Sequence, residues 1–280
     1  MKRKEADEIL KAYGLAPNKA LGQNFLTDES LTRKIIDIVS PMKGDKLLEI
    51  GPGLGALTNG LAALASVTAV EIDLGVYNYL RKVFDDNKNV SLIHGDFLKF
   101  EQHDIWTKVV SNLPYYCASE ILFKIAETCK DADVFVMLQK EMAERIWASP
   151  GTKSYGAFTI TLGYYYNVGR RFNVPRESFF PRPDVASVFI ELKRRPPVLS
   201  FDENRMFHLL VKSAFWGRRK TLYRALAESP HINVLPEHIK AGLAGADIDA
   251  GSRGEELSGE IFYRLAKTFI EIQNEQTKGR

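Results

Sequence analysis

Short apolar runs alternate with stretches of helical periodicity along the first two-thirds of the chain, and this alternation restricts the fold more than any other feature. Residues 46–50, 66–72, 90–94, 108–111 and 134–138 read as buried strands. Residues 30–39, 56–65, 76–84 and 118–129 read as helices. Strands alternating with helices make crossover units, which imply a mostly parallel sheet with helices on both faces. Residues 157–168 and 186–192, rich in β-branched and aromatic side chains, read as two closing strands. Lys193-Arg194-Arg195-Pro196-Pro197 ends the pattern, because paired prolines stop a strand and favour an extended linker. Beyond it only helices are expected, at 202–215, 221–226 and 260–272, with glycine-rich turns around Gly242-Gly245 and Gly251-Gly254. The expected organisation is an α/β domain over residues 1–195 and a small all-helical domain over 196–280.

Composition narrows the class. A chain of 280 residues with 45% hydrophobic and 26% charged residues is ordinary globular protein, which excludes disorder, collagen-like repeats and a disulfide scaffold. No run approaches the roughly 18 apolar residues of a membrane span. The first eight residues carry acids and no apolar core, so neither a signal peptide nor a typical transit peptide is expected, and the expected compartment is the cytoplasm. The net charge of +3 does not by itself demand nucleic acid. Local basic clusters do better as candidates: Arg170-Arg171, Arg176, Arg182, Lys193-Arg194-Arg195, and Arg218-Arg219-Lys220 with Arg224, although each alone also reads as solvated surface. Cys117 and Cys129 form no C-x-x-C pair, so neither zinc nor any other metal site is expected.

Glu49-Ile50-Gly51-Pro52-Gly53-Leu54-Gly55 follows the first of the five strands and opens a helix. Glycines there permit a tight turn and close ligand approach, and a helix N-terminus offers unpaired N–H groups. The loop also fits G-x-G-x-x-A, so alone it does not separate a dinucleotide from another adenosine-bearing ligand. Glu71 closes the next strand, where a carboxylate can accept hydrogen bonds from ribose hydroxyls. Asp96 follows the third strand, placed to hold an adenine amino group. The three features at successive strand ends together favour a bound adenosine ligand.

The fourth strand runs into Asn112-Leu113-Pro114-Tyr115. The tetrapeptide is similar to the Asn/Asp-x-Pro-Tyr/Phe motif of S-adenosylmethionine-dependent methyltransferases that act on exocyclic base amines. An adenine amino nitrogen is a poor nucleophile, because its lone pair is delocalised into the ring. An asparagine carbonyl and a main-chain carbonyl, that of Leu113, can accept its N–H bonds and aim the nitrogen at a sulfonium methyl without a strong general base. Pro114 stiffens the loop, and Tyr115 offers a face for an extruded base.

Further segments carry a wider resemblance: Leu21-Gly22-Gln23-Asn24-Phe25-Leu26, Glu71-Ile72-Asp73, Gly95-Asp96, Met137-Leu138-Gln139-Lys140-Glu141, Lys153-Ser154-Tyr155-Gly156, Phe180-Pro181-Arg182-Pro183-Asp184-Val185 and Arg218-Arg219-Lys220-Thr221. In order and spacing the chain resembles the KsgA/RsmA-type small-subunit (16S) rRNA adenine N6,N6-dimethyltransferases of the rRNA adenine dimethyltransferase family. The resemblance implies a Rossmann-like class I methyltransferase sheet with a helical C-terminal domain. It implies S-adenosylmethionine as methyl donor, with Asn24 and Leu26 closing over it, Gly51, Gly53 and Gly55 forming its loop, Glu71 on its ribose, Asp96 on its adenine, and Asn112 shared between donor and target. Phe180 would stack on the base opposite Tyr115, with Phe179 adjacent and not separable from it by sequence. The implied substrate is two adjacent adenosines near the 3′ end of 16S rRNA within the 30S subunit, gripped through Arg218, Arg219, Lys220 and Arg224 by a monomeric enzyme. Neither DNA nor a membrane is an expected partner. An Erm-like 23S rRNA enzyme and a non-catalytic ribosome-assembly factor are the alternatives. Two positions depart from the family pattern: Tyr116, where a polar residue is usual, and Phe215-Trp216-Gly217, where Phe, a small residue and Asn or Gln are usual.

Overall fold

In the computed structural model, which describes residues 1–101, 105–114 and 116–278, the five buried strands expected between residues 46 and 138 occur within one residue of their expected ends. The strands are β1 (Phe25–Leu26), β2 (Lys46–Ile50), β3 (Ser66–Glu71), β4 (Val90–His94), β5 (Lys108–Asn112), β6 (Asp133–Gln139), β7 (Tyr166–Val174), β8 (Phe179–Phe180) and β9 (Ser187–Arg194). The helices are α1 (Arg3–Ala12), α2 (Glu29–Val39), α3 (Ala56–Ala62), α4 (Leu74–Val83), α5 (Ala118–Thr128), α6 (Lys140–Ile146), α7 (Ala157–Tyr165), α8 (Phe201–Trp216), α9 (Leu222–Ala227), α10 (Pro236–Gly245) and α11 (Gly259–Lys278).

One sheet has the order β4-β3-β2-β5-β6-β9-β7. Its β4, β3, β2, β5 and β6 run parallel, and β9 lies antiparallel to β6 with Val136 opposite Ile190. The order reverses between β3 and β5 on either side of β2. In sheets of this kind ligands bind at such a reversal, beyond the carboxyl ends of the strands. Those ends here carry Gly51, Glu71 and Asn112. On one face Leu47, Val67, Val110, Phe135 and Phe189 pack with Leu31 and Ile35 of α2 and Leu57 and Leu61 of α3. Leu48, Val109, Val134 and Val136 alternate with them along the strands, so they point to the opposite face, and they are equally buried. A sheet buried on both sides explains why its strands read as continuous apolar runs.

The chain divides into two compact units, residues 1–143 with 167–194, and residues 144–166 with 195–280. Residues 144–166 group with residues 195–280 and not with the sheet-bearing unit. Within that segment the sequence expectation is overturned: residues 157–165 are helix α7, not a strand. Thr159 accepts a hydrogen bond from the Gly156 N–H at its start, and the helix is buried on most sides, with Phe158, Ile160, Leu162, Tyr164 and Tyr165 all inside. Tyr164 meets Phe207 of α8 and Tyr263 of α11, with ring centroids 5.1 and 5.4 Å away. The turn expected around Gly242-Gly245 is likewise helix, α10. Gly242 faces Phe269 of α11 so closely that a β-carbon would fall 2.2 Å from the ring. The glycine serves close helix packing.

Candidate active site

A cleft opens at the carboxyl ends of β2, β3 and β5. It is lined by residues 21–26, Glu49, Gly51, Pro52, Gly53, Glu71, Ile72, Asn112, Leu113, Pro114 and Met137, among others. Gly51 and Gly53 take the left-handed conformation, φ 67° and 56°. A β-carbon at Gly51 would meet nothing within 4 Å, whereas one at Gly53 would lie 3.0 Å from the Phe25 ring. The loop therefore presents bare backbone to the cleft at Gly51 and receives the roof of the cleft at Gly53.

That roof is the segment 21–26. Asn18 donates its N–H to Gln23 Oε1 at 2.8 Å, Gln23 Nε2 donates to Asp73 at 3.2 Å, and Asn24 Nδ2 donates to the Gly22 carbonyl at 3.0 Å. Strand β1 continues it and pairs antiparallel with β8, Phe25 opposite Phe180 and Leu26 opposite Phe179. Asn112 Nδ2 donates to the Asn24 carbonyl at 2.9 Å. With its nitrogen so committed, the amide turns its Oδ1 away as an acceptor. Behind it, Ser111 Oγ donates to the Ile50 carbonyl at 2.6 Å, and the Leu113 N–H donates to the Met137 carbonyl at 3.2 Å. The residues before Pro114 are thus tied to β2 and β6.

Two buried carboxyls face the cleft. Glu71 accepts from the Asp73 N–H at 2.9 Å, and the N–H groups of Gly53 and Ile72 also point to it. Burial nonetheless pushes its carboxyl up to about 7, the nearby Asp73 charge adding to the rise. Glu49 was not among the expected site residues. It is 2% exposed; Thr58 donates to its carboxyl, but its Oε2 makes no hydrogen bond, and burial, with the Glu71 charge adding, pushes it up to about 7 as well. A buried acceptor without a donor at a cleft wall suits a ligand bearing a cationic or hydroxyl donor. Backbone open at Gly51, an orphan acceptor at Glu49 and a second carboxyl at Glu71 together fit the amino-acid and ribose ends of S-adenosylmethionine.

The remaining expected residues fall in three places. Gly55 lies outside the cleft lining and caps α3, where a β-carbon would stand 3.1 Å from Phe84, so its bareness lets α3 approach α4. Asp96 also lies outside the lining. Its Oδ1 accepts from the Leu98 N–H at 2.9 Å, and its charge reaches the side chains of Tyr116 and Cys117. Phe179 is 2% exposed in the core with Leu26 and Val174, while Phe180 is half-buried and carries the Arg3 guanidinium 5.2 Å from its ring centre. Of the two, Phe180 is the less buried. Tyr115 lies outside the described residues.

In the helical unit the basic run separates by partner. Arg218 Nε donates to Glu255 at 2.5 Å, and its Nη2 reaches the carbonyls of Thr152 and Lys153 at 3.3 and 3.2 Å. It fastens the loop before α7. Lys220 pairs with Glu228 and lies over the Trp216 ring at 4.7 Å. Arg219 and Arg224 are exposed. No cluster of three or more His, Cys, Asp or Glu able to hold a metal occurs among the described residues, and no described helix is long and apolar enough to cross a membrane.

The sheet order, the glycine loop and the carboxyl at the end of β3 define a class I S-adenosylmethionine-dependent methyltransferase. A family model described as ribosomal RNA adenine dimethylase matches residues 14–268, and the chain belongs to this family. It is similar to the ribosomal RNA small subunit methyltransferase A of Enterococcus faecalis, 40% identical over 275 residues and 92% of each chain. Among solved structures it resembles a dimethyladenosine transferase from Plasmodium falciparum, with TM-score 0.77, 26% identity, and coverage of 88% of this chain and 98% of that one. It also resembles the 23S rRNA methyltransferase ErmE, with TM-score 0.67, 25% identity, and coverage of 88% and 100%.

Proposed function

We propose that this protein transfers methyl groups from S-adenosylmethionine to the N6 amines of two adjacent adenosines in the 3′-terminal hairpin loop of 16S rRNA, acting as a monomer on the 30S subunit in the cytoplasm. The donor supplies an electrophilic methyl on a sulfonium centre. Gly51 and Gly53 offer their backbone to its amino-acid end, Glu49 accepts its ammonium, Glu71 accepts the ribose hydroxyls, and Asn24 and Leu26 roof it. Asp96 is assigned to its adenine amino group.

The observation that carries the reading is the hydrogen bond from Asn112 to the Asn24 carbonyl. It commits the amide nitrogen, which leaves Oδ1 to be assigned as acceptor for one target N–H, and the Leu113 carbonyl is assigned to the second. Holding both aims the nitrogen lone pair along one line, and alignment of this kind lowers the barrier; as the N–C bond forms the C–S bond of the sulfonium breaks to leave the thioether, and the methylated nitrogen releases its proton to solvent. Phe180 supplies a stacking face beside the same roof through β1 and β8, and Tyr115 is assigned the opposite face. After one transfer a single N–H remains, and the monomethylamine must rotate to present its lone pair again. Exposed Arg219 and Arg224 are assigned to rRNA phosphates, with Lys220 beside them.

The test offers tritiated donor with naked 16S rRNA, unmodified 30S particles and 50S particles, followed by mapping of the modified base. Dimethylated adenosines in the 30S reaction are expected. Label only in the 50S reaction would give the Erm-like reading, and no label in any would leave a non-catalytic assembly factor.

A further inference from the structure

The proposed function makes no use of Trp216, a departure from the family pattern at the end of α8. Its neighbours on the helix turn inward: Ala214 is buried, and Phe215 meets Tyr155 and Phe262. Trp216 remains 48% exposed. An indole left this open has apolar ring area available to a partner. The surroundings specify which partner. The Lys220 ammonium lies 4.7 Å from the indole ring, and exposed Arg219 and Arg224 flank the same turn. The turn is fixed by the Lys220 N–H donating to the Gly217 carbonyl at 2.7 Å, by Thr221 capping α9, and by Arg218 anchored to Glu255. An open aromatic among cations on a rigid turn suits a nucleotide: the base stacks, and its phosphates meet the guanidinium groups.

We propose that Trp216 is a stacking platform for an unpaired rRNA nucleotide, with Arg219 and Arg224 on the adjoining phosphates. The inference rests on the rRNA reading and adds to it a base contact within the helical unit. Stacking requires a free base face, so an RNA duplex does not satisfy it.

The test follows Trp216 emission, isolated as the difference between the wild-type chain and Trp216→Phe, while each is titrated with an oligoribonucleotide of about ten unpaired nucleotides, a length within the reach of such sites. The same strand annealed to its complement is the comparison. The single strand quenches the Trp216 component, and Trp216→Leu binds it roughly 5- to 150-fold more weakly, the range measured for loss of one stacked base. Trp216→Phe keeps most of the affinity. Absence of quenching, equal affinity of Trp216→Leu, or equal quenching by the duplex would overturn the proposal. Methyl transfer to 30S particles by the wild-type chain, run in parallel, reports on the underlying reading: transfer with a silent Trp216 removes the platform and leaves that reading standing.

Discussion

Asn112 and Asn24 are 88 positions apart in sequence and joined by a hydrogen bond of 2.9 Å from the Asn112 amide to the Asn24 carbonyl. The residue assigned to the target amine therefore also holds down the roof of the donor cleft. Asn112→Ala removes both functions. Its turnover is expected to fall by at least about 100-fold, the scale for loss of one oriented polar group, with a smaller loss of donor affinity from the loosened roof. Single-turnover transfer of labelled methyl together with calorimetric donor binding separates the two. Near-normal dimethylation by this variant would remove the assigned mechanism.

Glu49 and Glu71 set a pH dependence. Both carboxyls are raised from 4.5 to about 7 in the folded chain, so between those values the native state holds protons that the unfolded chain has released. Stability without ligand therefore falls as pH rises from about 5 to about 7 and levels off above, with a slope of at most about 1.4 kcal/mol per pH unit for each group. Melting temperatures across that window check it, and Glu49→Gln should shallow the slope. A melting temperature that climbs from pH 5 to 7 in wild type and variant alike would contradict it.

Gly51 and Gly53 share a left-handed backbone and differ in what lies beyond it. Alanine at either position costs about 1–2 kcal/mol of backbone strain. At Gly53 the methyl group also meets Phe25 at 3.0 Å, so Gly53→Ala is expected to lose more stability than Gly51→Ala and to disturb the roof. Gly51→Ala places its methyl in the open cleft, and its main effect is on donor affinity. Denaturant midpoints and donor titrations of the two variants, compared side by side, read the difference.

The basic run before α9 divides by role. Arg219→Ala and Arg224→Ala are each expected to weaken 30S binding and to lower the salt dependence of binding by about one unit of slope. Arg218→Ala, by contrast, leaves Glu255 and the Thr152 and Lys153 carbonyls without their donor and is expected to destabilise the helical unit. Thermal melts and binding at several salt concentrations distinguish them. An Arg218→Ala variant of normal stability with a reduced slope would reverse the assignment.

How much was legible in the sequence depended on whether a residue's role is local. β2 and β5 occur within one residue of the expected places because a strand buried on both faces leaves an apolar run, whereas β4, at the sheet edge and only half-buried, is marked by its Val90, Leu92 and Ile93. Asn24, Gly51, Glu71 and Asn112 all reach one cleft, since each sits at the end or approach of such a run. Helix α7 was misread because it is enclosed on most sides, which erases the 3.6-residue alternation and leaves β-branched and aromatic residues that resemble a strand. Helix α10 was missed because Gly242 reads as a turn until Phe269 is seen against it; Pro236 at its first turn was the available signal. Glu49 was legible as part of a motif, but that its Oε2 is left without a hydrogen-bond partner is a property of the fold. Arg218 shows the same limit from the other side, since a string of basic residues does not reveal that one of them already has Glu255.

The pairing of β1 with β8 has a consequence for biosynthesis. The cleft roof is made early in translation and its partner strand about 150 residues later, so a ribosome must complete most of the sheet-bearing unit before Phe180 can close on Phe25.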